Sequence, residues 1–232
     1  MKTQHWFMIL VSSFIILSCF SPTMRKIADT KQFLLGVAVH PSDLLDPKDA
    51  KLVQDNFNIL VPENIMKLQY LRPTETFWNW SDPDKFVQFA EANNMKLRGH
   101  TFVWHNQNPP FINNLSDKNK AIQILQDTIT QVLTRYNGKF YEYDVCNEVI
   151  DDNGVLRNSI WMKTIGPEYI DMAFKTARQA DPSVKLILND YNNEYAGTTK
   201  GDAFYKLVKD MVDRKIPIDG VGFQLHVMAE QP

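Results

Sequence analysis

The sequence predicts an α/β fold, built from βαβ units around a parallel sheet or barrel. Three observations carry that expectation. Strand-like runs alternate with stretches whose apolar residues recur at helical spacing, giving six strands and five helices. The first two strand-like runs are mainly apolar, as strands covered on both faces are. Most of the runs break into polar residues at their carboxyl ends, where parallel barrels keep their chemistry.

The elements follow in order. Residues 1–19 have the layout of an export signal, with Lys2 before an apolar run from Trp6 to Leu17 that is too short to span a bilayer. Ile16-Leu17-Ser18-Cys19 resembles a lipoprotein cleavage site, so Cys19 is a candidate for lipid attachment to a membrane surface. Residues 20–30 are polar and read as a tether, and residues 31–232 form a single domain. Leu34 to Val39 is the first strand, Asp49 to Gln54 a short helix, and Phe57 to Val61 the second strand. Ser81-Asp82-Pro83-Asp84 opens a helix with Ser81 as cap and Phe86, Phe89 and Ala90 on one face. Lys96 to Val103 is the third strand. Ser116 is the expected cap of the clearest helix, in which Ile122, Leu125, Ile129, Val132, Leu133 and Tyr136 recur before Asn137-Gly138. Tyr141 to Asn147 is the fourth strand, and a helix follows from Pro167. Lys185 to Leu188 is the fifth strand. A helix carrying Phe204, Leu207, Val208, Met211 and Val212 leads to the sixth, Val221 to Leu225.

Composition narrows the function. A net charge of −2 gives no basic footprint, which argues against nucleic acid as a partner class. With Cys19 assigned to lipid, Cys146 is the remaining thiol; it reads as a buried filler rather than a nucleophile, since no His is near it in sequence. No HExxH or paired-Cys motif points to a metal, and the odd spacing of His100 and His105 on an extended strand puts them on opposite faces. No cofactor is expected.

In a parallel barrel the strand ends face one pocket, which gathers Glu63, Asn64, Lys67, His100, Trp104, His105, Asn147, Glu148, Asn189, Asp190, Tyr191, Gln224 and His226. Carboxylates for acid and base work, amides and His to grip hydroxyls, and Trp to stack on sugar together suit glycoside hydrolysis. Each residue alone is more often a solvated or capping group; their convergence is the signal. Read from the residues alone, Glu148 pairs with Glu63, because both end strands.

Five segments sharpen this. Glu63-Asn64-Ile65-Met66-Lys67, Arg98 to His105, Asp144-Val145-Cys146-Asn147-Glu148, Asn189-Asp190-Tyr191-Asn192 and Asp219 to His226 resemble, in order, motifs of glycoside hydrolase family 10, the endo-β-1,4-xylanases. The resemblance implies a (β/α)8 TIM barrel, of which about six βα units are present, so that residues 31–232 are a partial catalytic domain. It also implies a retaining mechanism on xylan or xylo-oligosaccharide. Glu148 is then the general acid/base and Asn147 holds the sugar 2-hydroxyl. Glu63, Asn64 and Lys67 grip the non-reducing side, His100 and Trp104 line the scissile bond, Tyr191 contacts substrate, and Gln224 and His226 orient the nucleophile. Cys146 replaces the family's usual aliphatic residue.

The resemblance also reassigns Glu63 to sugar binding and places the nucleophile on a seventh strand, whereas this sequence reaches Gln231-Pro232 after the sixth. A retaining pair needs carboxyl groups about 5 to 5.5 Å apart, and Glu230 has no strand pattern around it. The expectation is a truncated or incomplete enzyme, inactive by itself, with unpaired first and sixth strands. The competing expectations are a surface xylan-binding protein without turnover and a non-functional fragment.

Overall fold

A computed structural model describes residues 22–226. The signal segment, Cys19 and Glu230 lie outside the described residues. Strands β1 (Gly36–Val39), β2 (Ile59–Pro62), β3 (Lys96–Val103), β4 (Glu142–Asn147), β5 (Lys185–Asp190) and β6 (Gly220–Phe223) form a six-stranded sheet in the order β1 to β6. Every pairing is parallel. Sequential parallel neighbours joined by helices are successive βαβ units, as the alternation predicted.

The helices are α1 (Met24–Thr30), α2 (Pro47–Asn56), α3 (Leu68–Leu71), α4 (Ser81–Ala92), α5 (Pro110–Asn113), α6 (Lys118–Arg135), α7 (Ile160–Thr164), α8 (Tyr169–Ala180) and α9 (Thr199–Asp213). Their apolar stripes face the sheet. Leu125, Ile129 and Leu133 of α6, with Ala173, Phe174 and Ala177 of α8, are buried in one core. Val212, expected on the inner face of α9, is 57% exposed, and Met211 takes the buried place.

Several boundaries differ from expectation for local reasons. Asp117, not Ser116, caps α6, because its carboxylate accepts the backbone N–H of Lys120. Ser81 is the first residue of α4 and caps nothing. The helix expected from Pro167 begins two residues later as α8. The sixth strand stops at Phe223, leaving Gln224 and His226 beyond it.

The expected tether is the main correction. Residues 24–30 are helical, capped by Thr23, and Arg25 donates to the carbonyls of Gln54, Asn93 and Asn94. Asn58 completes the attachment by donating to Asp29 and to the carbonyl of Phe33, while its own side-chain oxygen accepts from Leu35 N–H. A polar composition concealed this docking, because the partners lie far along the chain.

β1 and β6 are the edges of the described sheet, and Val221 and Phe223 on β6 are exposed. Gly99 on β3 is required sterically, because a Cβ there would lie 2.1 Å from the Tyr143 ring, which stacks face to face with Phe102. Among the described residues no helix is long and apolar enough to cross a membrane.

Candidate active site

Glu148 follows directly on β4, and its backbone has a left-handed φ of 56°. For a residue other than Gly or Asn that conformation is strained, and it swings the side chain out of the sheet's alternation. Its carboxylate accepts the indole N–H of Trp104 at 2.8 Å on one oxygen and the amide of Gln224 at 3.0 Å on the other. The Asn147 amide also donates to it at 3.2 Å.

The strand ends therefore link into one chain of polar contacts. Asn189 donates to Asn147 at 2.8 Å, Gln224 donates to both Asn147 and Glu148, and His226 Nε2 lies 3.1 Å from the Gln224 side-chain oxygen. Gln224 was expected to orient the nucleophile; among the described residues it donates to Glu148 and Asn147. Among the described residues His226 reaches the site through Gln224.

Beside Trp104 stands the second group. Lys67 Nζ donates to Asn64 at 3.0 Å and sits 5.1 Å from the Trp104 ring centroid, while the Gln107 amide donates to the same Asn64 oxygen at 3.3 Å. Burial pushes the Lys67 ammonium below its usual pKa, against the attraction of Glu63 and Glu148. Glu63 itself is exposed at the rim. Charged donors and acceptors with an aromatic face suit a polyhydroxylated ligand.

His100 Nδ1 is 2.8 Å from the buried carboxylate of Asp144, which also pairs with Arg98 at 2.7 Å. Alternation on β3 and β4 places Arg98, His100, Glu142 and Asp144 on one face. Sequence reasoning singled out His100 but missed Arg98 and Asp144, whose signal was charge at every second position of a strand.

The alternation expected to set His100 and His105 on opposite faces does not reach His105, because β3 ends at Val103. Its Nδ1 is 3.7 Å from Glu148, too far for a hydrogen bond, and makes none. Burial, then the positive charges of Arg157 and Lys200, hold the ring's pKa below its usual value, so it is the neutral imidazole that faces Glu148.

Behind the site, the Tyr191 hydroxyl accepts from Arg157 at 3.0 Å, and Lys200 Nζ lies 3.2 Å from the Tyr191 ring centroid. Lys200 is buried and pairs at 3.0 Å with the fully buried Asp190, whose carboxyl pKa burial raises despite that partner. Cys146 is a buried filler, its thiol pKa pushed up by desolvation. Among the described residues no three His, Cys, Asp or Glu side chains gather to hold a metal. A separate cleft of about 250 Å³, lined mainly by His40, Leu44, Leu45, Phe86 and Phe89 with Asp82 and Lys85, holds none of the strand-end residues of the site.

Parallel βαβ units carrying a carboxylate, amides, histidines and a tryptophan at one end of the sheet define a β/α-barrel glycoside hydrolase fold. Residues 23–232 match the family model of Glycosyl hydrolase family 10. The chain belongs to this family, and the described strands form an arc of its (β/α)8 barrel.

Relatives agree. The chain is 47% identical over 209 residues to endo-1,4-beta-xylanase A of Thermoanaerobacterium saccharolyticum, covering 84% of this chain and 18% of that protein. It is 46% identical over 209 residues to exoglucanase XynX of Acetivibrio thermocellus, covering 84% of this chain and 19% of that protein. Xylanase 10B from Thermotoga petrophila RKU-1, crystallised with xylobiose, superposes with a TM-score of 0.85 at 37% identity, over 89% of this chain and 64% of that one. The chain thus spans less than two thirds of each.

Proposed function

We propose that the protein cleaves the β-1,4 linkages of xylan internally and with retention, and that Glu148 is the general acid/base. The observation that carries this reading is the Glu148 carboxylate at the end of β4, held by Trp104 on one oxygen and Gln224 on the other. Xylanase relatives, one of them crystallised with xylobiose, support the substrate class.

In the first step Glu148 gives its proton to the departing glycosidic oxygen as the bond to the sugar C1 breaks and a carboxylate nucleophile bonds to that carbon. Water then attacks C1, Glu148 takes its proton, and the nucleophile leaves. The nucleophile is not assigned among the described residues. Glu63, Asn64 and Lys67, joined by Gln107, grip the sugars on the non-reducing side. His100 and Trp104 line the scissile bond, Asn147 meets the 2-hydroxyl, and Tyr191 meets the sugar beyond. Neutral His105 removes a positive charge from beside Glu148.

A non-catalytic xylan-binding protein would use the same grip. Reducing-sugar release from xylan separates the two: release that Glu148→Ala abolishes supports the enzyme, whereas retention on xylan with no release supports the binder. The export segment and Cys19 support a membrane-surface location; incorporation of labelled fatty acid that Cys19→Ala abolishes is the expected result.

A further inference from the structure

We propose that Arg157 is the positioning residue for Glu148, fixing the turn that aims its carboxylate and tying that turn to Tyr191. The inference rests on Glu148 being the acid/base. Three successive carbonyls after β4 are all taken by this one residue. Its side-chain Nε donates to Glu148 O at 2.9 Å, its backbone N–H to Val149 O at 2.8 Å, and its Nη2 to Ile150 O at 3.1 Å.

The turn needs such a clamp. Glu148 sits at a φ of 56°, a conformation that persists only where surrounding contacts over-determine it. Its N–H is already held by Asn189 O at 2.8 Å, and Ile150 N–H by Asp190 at 3.1 Å. Without Arg157, the carbonyl side of the same turn would have no such donor. A guanidinium can serve two carbonyls and a hydroxyl at once because its donors form a planar fork; an ammonium cannot match that geometry.

The same Nη2 reaches the Tyr191 hydroxyl at 3.0 Å. Tyr191 is braced in turn, with its backbone N–H on Asp190 at 2.9 Å and Lys200 against its ring. Arg157 therefore joins the residue that donates the proton to one that meets the sugar, so the two move as a unit. The titratable groups around it are Asp151 at 3.5 Å, Asp190, Lys200, His105 and Glu148.

The Trp104 indole N–H reports the outcome directly, since it donates to Glu148. Its ¹⁵N–¹H signal is identified by loss in Trp104→Phe, and its unbonded position is read from Glu148→Ala. In Arg157→Met we expect the signal to move most of the way to that unbonded position while the other indole signals stay in place; in Arg157→Lys it moves less. An unmoved Trp104 signal in Arg157→Met overturns the proposal. Should Arg157→Met fail to fold, Arg157→Lys carries the test, and an unmoved signal there overturns it equally.

Kinetics give a second readout that a merely structural role would not produce. A misplaced acid slows xylan, whose leaving group needs a proton, by about a hundredfold in kcat with KM little changed. An activated aryl xylobioside, whose leaving group departs unprotonated, is expected to lose less than about threefold in kcat/KM, which reports the first step, while its kcat falls because Glu148 is also the base of the second. Equal loss of kcat/KM on both substrates overturns the positioning role. If the wild-type protein turns over neither substrate, the functional reading fails while the indole signal still decides the place of Arg157.

Discussion

Cys146 and His105 show at the level of single residues what environment does to a reactive group. Cys146 lies in β4 with no exposed surface, so Cys146→Ser is expected to leave a buried hydroxyl without a partner and lower stability by ~1–3 kcal/mol in urea unfolding. Cys146→Ala should still bind xylo-oligosaccharide, since the thiol contributes packing alone. His105 has a folded-state pKa below its unfolded value. The unfolded chain therefore binds the extra proton first, and the stabilisation is complete above the unfolded pKa and lost as pH falls through that window. His105→Gln should flatten the fall in melting temperature between about pH 7 and pH 5; an unchanged slope would show that other groups set it. The catalytic candidates were legible because polar residues interrupt apolar runs at strand ends. Arg98 and Asp144 were not, since they lie 46 positions apart; Arg157 was not, because the carbonyls it holds become partners only once the chain turns back after β4.

The elements were legible wherever an apolar stripe of several turns marked them, as in α6 and α8. What escaped was docking. Nothing in the local composition of residues 24–30 distinguishes a helix from a tether; the difference is made by Arg25 reaching carbonyls at the ends of α2 and α4, and by Asn58 bridging Asp29, Phe33 and Leu35. Asn58 is buried and uses both its oxygen and its amide nitrogen. Asn58→Ala is expected to cost about 2 kcal/mol, because Leu35 N–H loses its partner in a partly buried position. The cost should appear as a lower urea midpoint with amide exchange raised in α1 and β1. Unchanged exchange in α1 would mean that the helix is held by Arg25 alone. The caps of α4 and α6 were misplaced by one position: in α6 Ser116 and Asp117 are adjacent and the hydrogen bond to Lys120 N–H picks Asp117, while α4 starts after Trp80 with no side-chain cap.

For the molecule as a whole, the parallel order β1 to β6 brings side chains more than 150 positions apart in sequence, Glu63 and Gln224 among them, to the same end of one sheet. The family resemblance named that end as a xylan site, and there Trp104, Asn147 and Gln224 all donate to the Glu148 carboxylate. The central claim is that Glu148 supplies and recovers the proton. Its most direct test compares Glu148→Ala with wild type in the full-length protein, on xylan and on an activated aryl xylobioside with azide present. Xylan turnover should fall by about 10²- to 10⁴-fold, while the aryl glycoside still reacts and azide, bonding to C1 in place of base-activated water, releases the β-glycosyl azide. Xylan hydrolysis at the wild-type rate, or loss on both substrates without azide product, would contradict the assignment.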